Sequence, residues 1–124
     1  TCWSNYKQYF VSNSLGYCYD LMDVVEYYKL YKDLMEFWQS EYNGRIYNLN
    51  YEHLTADQEN QTRKLIKQIG LNWEEACLSP HENKRSVRTA SSQQIRQKVY
   101  QGSSEAWRKY EPFLNGAFDG LPSL

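Results

Sequence analysis

The chain has 124 residues, 16% of them aromatic, and a formal net charge of −1. A globular chain of this length buries about two thirds of the surface that its unfolded form exposes, so it can form a core. The high aromatic content excludes an intrinsically disordered protein. No apolar run approaches the roughly 18 residues of a membrane-spanning helix, so no membrane partner is expected. The three cysteines lack the spacing of a zinc site and the even count of a disulfide framework, which favours reduced thiols in the cytoplasm.

Helical patterns dominate the first half of the chain. Residues 1–10 place apolar side chains at helical spacing, which predicts a helix with one apolar face. After a loop through Gly16, Asp20 is positioned to cap a long helix that Asn43 and Gly44 end. We expect this long helix to bury one apolar stripe, formed by Leu21, Val24, Tyr28, Tyr31, Met35 and Trp38.

One short segment has the pattern of a strand. Residues 45–50, RIYNLN, alternate between two faces in the manner of a β-strand. A lone strand does not make a stable sheet, so two interpretations stay open. The chain is either an irregular helical domain with one extended segment or a domain whose other strands precede Thr1. In the second case, an unpaired strand edge favours a homo-oligomer.

The second half of the chain is again mainly helical. Thr55 and Gln58 have the spacing of a capping box for a helix that Gly70 ends. Further helices are predicted from Asn72, over residues 91–98 and 103–110, and from Pro112 onward. The total is six or seven helices with one or two strands. The sequence therefore predicts a mainly α chain with a single domain over residues 1–124.

Positive charge is concentrated in one zone. Residues 81–109 sum to +5, whereas residues 1–80 sum to −4 and residues 110–124 to −2. This zone holds the polar segment VRTASSQQIRQKVYQGSSEAWRKY. It is either a solvated cationic loop without a ligand or the binding surface for an anion. The overall pI of about 6.1 argues against a nucleic acid as that anion.

Three separated blocks, in order, resemble one enzyme family. They are CWSNYKQYF, then LNYEHLTADQENQTRKLIKQIGLNWEEACL, then VRTASSQQIRQKVYQGSSEAWRKYE. Together they resemble the carboxyl half of the bacterial sulfotransferases that are often joined to tetratricopeptide repeats, and more distantly the protein-tyrosine sulfotransferases. The resemblance implies transfer of a sulfuryl group from 3′-phosphoadenosine 5′-phosphosulfate (PAPS) to a hydroxyl or amine of an unknown acceptor. It also implies that the chain is the mainly α, carboxyl-terminal fragment of an α/β P-loop-like sulfotransferase fold.

The resemblance also implies residues that bind the nucleotide of PAPS, or of its product adenosine 3′,5′-bisphosphate. Ser4 matches a serine that holds the 3′-phosphate, and Tyr51 matches a tyrosine that lies against the adenine region. Thr89 and Ser91 match a turn that contacts the adenine edge. Arg96 matches a cation close to the cofactor, and a guanidinium can bond two phosphate oxygens at once. Trp107 also matches a family tryptophan, although its spacing favours a place in the core.

Catalytic and metal-binding residues cannot be assigned in this sequence. The six glycines never form the loop that cradles a phosphate, and neither His53 nor His81 has a partner that would make it a base. Whether this chain is itself an enzyme is left open, and we expect it to be inactive alone. The alternative function is a helical protein-binding module with a tyrosine-rich interaction face.

Overall fold

Helices dominate the part of the chain that the computed structural model describes, residues 1–11, 13–87 and 93–121. The α-helices are α1 (Cys2–Tyr6), α2 (Leu21–Glu41), α3 (Tyr51–Ala56) and α4 (Gln58–Gln68). The 3₁₀ helices are Asn13–Tyr19, Glu75–Leu78, Pro80–Glu82, Gln94–Arg96 and Ser103–Phe113. The predicted mainly α class is confirmed. Across the described residues, no helix is both long and apolar enough to cross a membrane.

The chain divides into two compact units. The terminal unit comprises Thr1–Ile46 with Ser104–Leu124, and the central unit comprises Tyr47–Ser103. In the terminal unit, α2 packs against α1 and against Asn13–Tyr19. In the central unit, α3 packs against α4, and Pro80–Glu82 packs against Gln94–Arg96. The prediction of a single domain over residues 1–124 stays a prediction.

The core of the terminal unit lies beneath the first turns of α2. Val24 and Val25 are each 2% exposed, and Cys2 and Cys18 are buried as well. Burial raises the pKa of the Cys2 thiol, because an apolar environment disfavours the thiolate. The buried residues of α2 are thus confined to its amino-terminal third.

The long predicted helix and its cap are confirmed by α2. The Asp20 carboxylate accepts hydrogen bonds from the backbone N–H groups of Met22, at 2.7 Å, and Asp23, at 3.1 Å. These bonds satisfy two donors that have no partner inside the helix. The helix ends at Glu41, and Gly44 follows with a φ of +75° in the left-handed region that glycine tolerates.

Removing this cap should lower the stability of the chain. We expect Asp20→Ala to reduce the free energy of unfolding by about 1 kcal/mol, because both N–H groups lose their acceptor. Urea denaturation followed by far-UV circular dichroism measures the change. Asp33→Ala, the same substitution at an exposed position within α2, is the control and should change stability little. An equal loss in both variants would contradict a capping role for Asp20.

The predicted buried stripe of α2 is only partly correct. Val24 is buried, and Leu21, Tyr28 and Met35 are half-buried, as expected. Tyr31 and Trp38 are exposed instead. The packing partners of α2, α1 and Asn13–Tyr19, are short elements, so apolar residues of its second half remain at the surface.

The predicted helix over residues 1–10 is too long. The structure ends α1 at Tyr6, with Lys7 as its carboxyl cap. Beyond it, the Tyr19 hydroxyl donates to the carbonyl oxygen of Phe10 and accepts from the Phe10 N–H at 3.2 Å. A tertiary contact therefore takes the Phe10 N–H that a helix extending to residue 10 would have used.

The predicted strand at residues 45–50 is wrong. The Arg45 N–H bonds to the Tyr42 carbonyl in a turn that follows α2, and the Asn50 side chain caps α3 by accepting from the His53 N–H at 2.9 Å. Residues 47–50 have no regular secondary structure. No strand occurs in the ranges that the structure describes, so the segment has no neighbour with which to pair.

The capping box at Thr55 and Gln58 is also wrong, whereas the helix stop at Gly70 is confirmed. Thr55 lies inside α3 and donates to the Glu52 carbonyl, and Asp57 precedes α4. At the end of α4, the Gly70 N–H bonds to Lys67 and the Leu71 N–H to Ile66, each at 3.1 Å. This pair of bonds is the Schellman motif, and Gly70 has the positive φ, +73°, that it requires.

The carboxyl-terminal helices differ in type and extent from the predictions. The segment predicted to be helical from Asn72 forms the shorter 3₁₀ helix Glu75–Leu78. Within the described part of 91–98, only Gln94–Arg96 is helical, and Pro112 lies inside Ser103–Phe113 instead of opening a new helix. Proline lacks an N–H donor, so this helix lacks one backbone hydrogen bond at Pro112, next to its last residue.

Candidate functional site

Tyr51 is the first residue of α3, where the resemblance had predicted an adenine contact. Its hydroxyl lies 3.2 Å from the Ser103 hydroxyl, and either oxygen can donate. The Asn50 cap fixes the start of α3 and therefore the position from which Tyr51 projects. Tyr51 remains exposed, so its hydroxyl is held by Ser103 while its ring is accessible to a ligand.

A second contact holds the segment before Ser103 against the same helix. The Gln101 side-chain amide donates to the carbonyl oxygen of Thr55, near the end of α3, at 3.2 Å. Gly102, between the two contact residues, has a φ of +87°, which lets the segment turn there. Residues 101–103 thus lie along α3, with Tyr51 and Thr55 as their two points of contact.

Arg96 is the last residue of Gln94–Arg96 and is exposed. Its Nη2 donates to the carbonyl oxygen of Arg85 at 2.6 Å. An arginine has five N–H donors, so this bond orients the guanidinium while most donors remain available. The Asn83 side chain in turn accepts from the Arg85 N–H at 2.9 Å. The segments on either side of residues 88–92 are therefore tied together by Arg96.

Four cations occur together in this part of the central unit. Lys84 and Arg85 lie in one of the tied segments, and Arg96 and Lys98 lie in the other. Within the described ranges, none of the four forms an ion pair with a carboxylate. We call them the cationic cluster. A group of exposed cations that form no ion pair attracts an anion.

Two arginines outside these segments, Arg63 in the central unit and Arg108 in the terminal unit, are already paired. Arg63 bonds the Glu59 carboxylate at 2.9 Å, and its guanidinium lies 3.9 Å from the centre of the Trp73 ring. Arg108 is hydrogen-bonded to Glu105, which raises the pKa of the guanidinium. These arginines stabilise local structure, and their charge is largely compensated. The cationic cluster differs because none of its four side chains forms an ion pair in the described ranges.

The remaining predicted site residues do not add to this geometry. Ser4 lies in α1, is exposed, and belongs to the terminal unit. Thr89 and Ser91 lie outside the described residues. Tyr51 and Arg96 thus share the central unit, and Ser4 does not. Among the residues the structure describes, no group of three or more His, Cys, Asp or Glu side chains is placed to hold a metal ion.

Trp107 occupies the position that its spacing had indicated. It is half-buried and makes an edge contact with Phe118, with ring centres 5.5 Å apart and planes at 78°. Both rings line a cavity of about 250 Å³ beside the buried Leu114. Trp107 therefore packs with Phe118 and Leu114 in a small apolar cluster of the terminal unit.

Comparison with known proteins identifies the family. The model of the sulfotransferase family matches residues 1–75, which is more than half of the chain. The chain belongs to the sulfotransferase family. The matched range contains Ser4 and Tyr51, whereas Thr89, Ser91 and Arg96 lie beyond it.

One relative covers nearly the whole sequence. An uncharacterized protein of Aquifex aeolicus (strain VF5) is 36% identical over 120 residues, which cover 95% of this chain. The chain spans only 16% of the length of that relative. No solved structure matches the chain significantly. The comparisons therefore establish the family and leave the donor, the acceptor and the activity of the whole protein as proposals.

Two features of the site were not predicted from the sequence. The contacts of Ser103 with Tyr51 and of Gln101 with Thr55 join residues 52 and 46 positions apart. No periodicity connects residues at such separations. The polar, glycine-containing stretch QGSSE was the available signal, since it suggested a turn rich in hydrogen-bonding side chains.

Proposed function

We propose that the chain supplies nucleotide-binding residues of a sulfotransferase that uses PAPS as donor and a hydroxyl or amine as acceptor. Membership of the sulfotransferase family supports this reaction class. The observation that carries the nucleotide part is the cationic cluster of Lys84, Arg85, Arg96 and Lys98, which has no carboxylate partner in the described ranges. The product of sulfuryl transfer, adenosine 3′,5′-bisphosphate, is an anion with phosphates at both ends of its ribose.

In this proposal, Arg96 is the residue that bonds a phosphate. Its Nη2 is held by the Arg85 carbonyl, so its guanidinium is oriented before a ligand arrives. The remaining N–H groups can donate to two oxygens of one phosphate. Lys84 and Lys98 contribute charge without fixed geometry, because a lysine ammonium lies on a flexible stem. Preorganisation of Arg96 lowers the entropic cost of binding.

Tyr51 provides a flat surface for the adenine ring. Its hydroxyl contact with Ser103 restrains the phenol, and its exposed ring face is free to stack. Thr89 and Ser91 extend the same proposal to the adenine edge, and Ser4 extends it to the 3′-phosphate, in each case through the family resemblance. The hydroxyl groups of these residues can donate to a phosphate oxygen or a ring nitrogen.

We propose that the chain alone binds the nucleotide but does not catalyse sulfuryl transfer. Sulfuryl transfer breaks the bond between the sulfur and the 5′-phosphate oxygen and forms a bond from the sulfur to the acceptor. It requires charge stabilisation on the leaving phosphate and a base that takes the acceptor proton. Neither a phosphate-cradling glycine loop nor such a base is assigned in this sequence. Sulfate transfer from PAPS by the purified chain, verified by mass spectrometry, would contradict this part of the proposal.

Titration calorimetry with adenosine 3′,5′-bisphosphate tests the nucleotide site. We expect a dissociation constant near 1 mM, about 4 kcal/mol of binding free energy, and weaker binding of 5′-AMP, which lacks the 3′-phosphate. Arg96→Ala should weaken the bisphosphate about tenfold, because a charge-assisted hydrogen bond is lost. The affinity of Arg96→Lys for the bisphosphate should lie between those of the parent chain and Arg96→Ala, since lysine keeps the charge but cannot bond two oxygens with a fixed geometry.

Arg45→Ala is the matched control for Arg96→Ala. Arg45 is exposed in the terminal unit and its removal changes the net charge by the same amount. It should leave the affinity for the bisphosphate unchanged. Equal binding of 5′-AMP and the bisphosphate, or an equal loss in the two arginine variants, would show that only general electrostatic attraction operates.

A further inference from the structure

Beyond its buried first turns, α2 exposes a stripe of large apolar side chains. Six of them, each between 38% and 66% exposed, recur at spacings of three and four residues and so share one helix face: Tyr27, Leu30, Tyr31, Leu34, Phe37 and Trp38. We call this set the aromatic stripe. Val25, which is 2% exposed, lies on the opposite side of the helix. Contiguous exposed apolar surface of this kind marks interaction sites in folded proteins.

The rim of the aromatic stripe is acidic. Asp23 and Glu41 lie on the same face at its two ends, and Asp33 lies beside Leu34 along one edge. In the parts of the chain that the structure describes, none of these three carboxylates forms an ion pair. The neighbouring Glu26 differs, because Lys29 neutralises it at 2.7 Å. The rim therefore favours a partner with positive charges beside its apolar surface.

A cavity opens next to the stripe. Tyr27 and Tyr31 line it together with Tyr17 and Val24, and its volume is about 240 Å³. The rings of Tyr17 and Tyr27 are stacked, with centres 4.0 Å apart and planes at 11°, which fixes one wall. Pockets for small organic ligands usually start at about 300 Å³, so this cavity suits a single large side chain.

We propose that the aromatic stripe docks a basic amphipathic helix of a partner protein. The stripe spans residues 27–38, about 17 Å along the helix axis, and its i, i+3 and i+4 pattern suits contact with the apolar face of another helix. One large apolar side chain of the partner fills the cavity, and Lys or Arg side chains meet Asp23, Asp33 and Glu41. A second copy of this chain fits less well, because its own acidic rim would face the same carboxylates. The site is independent of the proposed nucleotide site, which lies in the central unit.

The test uses the full chain and two fluorescent peptides. Each peptide is a helix of about 15 residues with Leu and one Trp on one face. One carries Lys on the flanks, and the other carries Glu at the same positions. Fluorescence anisotropy measures binding as the chain is added. The cationic peptide should bind at least about tenfold more tightly than the anionic one.

Matched substitutions locate the site on the chain. Phe37→Ser should weaken the cationic peptide about tenfold, whereas Phe113→Ser, at a residue that is 79% exposed outside the stripe, should not. Glu41→Gln should weaken it several-fold. Glu36→Gln, at an exposed position on the opposite side of α2, should have no effect. Because all four positions are exposed, these variants should fold as the parent does.

Three results would overturn the proposal. The first is binding of both peptides with equal affinity, which would remove the role of charge. The second is an equal loss for Phe37→Ser and Phe113→Ser, which would place the peptide elsewhere. The third is analytical ultracentrifugation showing a dimer that Phe37→Ser dissociates, which would identify a second copy of the chain as the occupant.

Discussion

A carboxylate at position 24 should unfold the terminal unit. Val24 is 2% exposed, and Val25, Cys2 and Cys18 are buried residues of the same unit. In Val24→Asp, either a charge is buried without a partner or the unit must open to hydrate it. The expected loss is about 3–5 kcal/mol, most of the stability of a small domain. Urea denaturation followed by far-UV circular dichroism measures it, and the shift of the midpoint gives the size of the effect.

Val11→Asp is the matched control. Val11 is 86% exposed, so the same new carboxylate stays in water and should change stability by no more than about 0.5 kcal/mol. Similar midpoints for the two variants would mean that α2 does not hold a buried core at Val24. A large loss of unfolding free energy in Val24→Asp, without one in Val11→Asp, would establish that Val24 lies in a buried core. The packing of α1 against α2 and the presentation of the aromatic stripe depend on this core.

Local signals in the sequence predicted α2 well. The Asp20 carboxylate caps the first backbone N–H groups, and Gly44 takes a left-handed φ in the turn after the helix. Both effects are local, so the sequence displays them directly. The buried face of α2 was harder to predict, since large apolar residues occur on its exposed face as well as on its buried one. Which of them is buried depends on the short elements that pack against the helix, and periodicity does not reveal these.

The strand at residues 45–50 and the capping box at Thr55 failed for a shared reason. Each pattern was compatible with its predicted structure, but a competing contact was stronger. Asn50 caps α3, which places Thr55 inside a helix, and the turn after α2 takes up Arg45. Alternation also needs a neighbouring strand, which the described ranges do not contain.

The candidate site shows how far residue types alone lead. The positive charge of residues 81–109 and the family resemblance both indicate Arg96 from the sequence alone. Its bond to the Arg85 carbonyl and the contact of Tyr51 with Ser103 join segments that are distant in sequence. These contacts depend on how the central unit folds, so the sequence predicted the chemistry of the site without its geometry.

The two proposed sites lie in units of opposite charge: the aromatic stripe belongs to the terminal unit and the cationic cluster to the central unit. The net charge of residues 1–46 is negative, whereas the cluster at residues 84–98 is positive. An anionic nucleotide and a basic helix therefore favour different units. The two proposals thus rest on different residues, and the failure of one leaves the other standing.

Substitution of Phe118 tests whether Trp107 contributes to an apolar core. Phe118→Ala should lower the free energy of unfolding by about 2 kcal/mol, less than for a fully buried phenylalanine, because Phe118 is half-buried. It removes the edge contact with Trp107 and enlarges the cavity beside Leu114. Phe113→Ala, at the exposed neighbour, should cost less than about 0.5 kcal/mol. Equal costs in urea denaturation would remove Trp107 from the core and restore it as a candidate ligand contact.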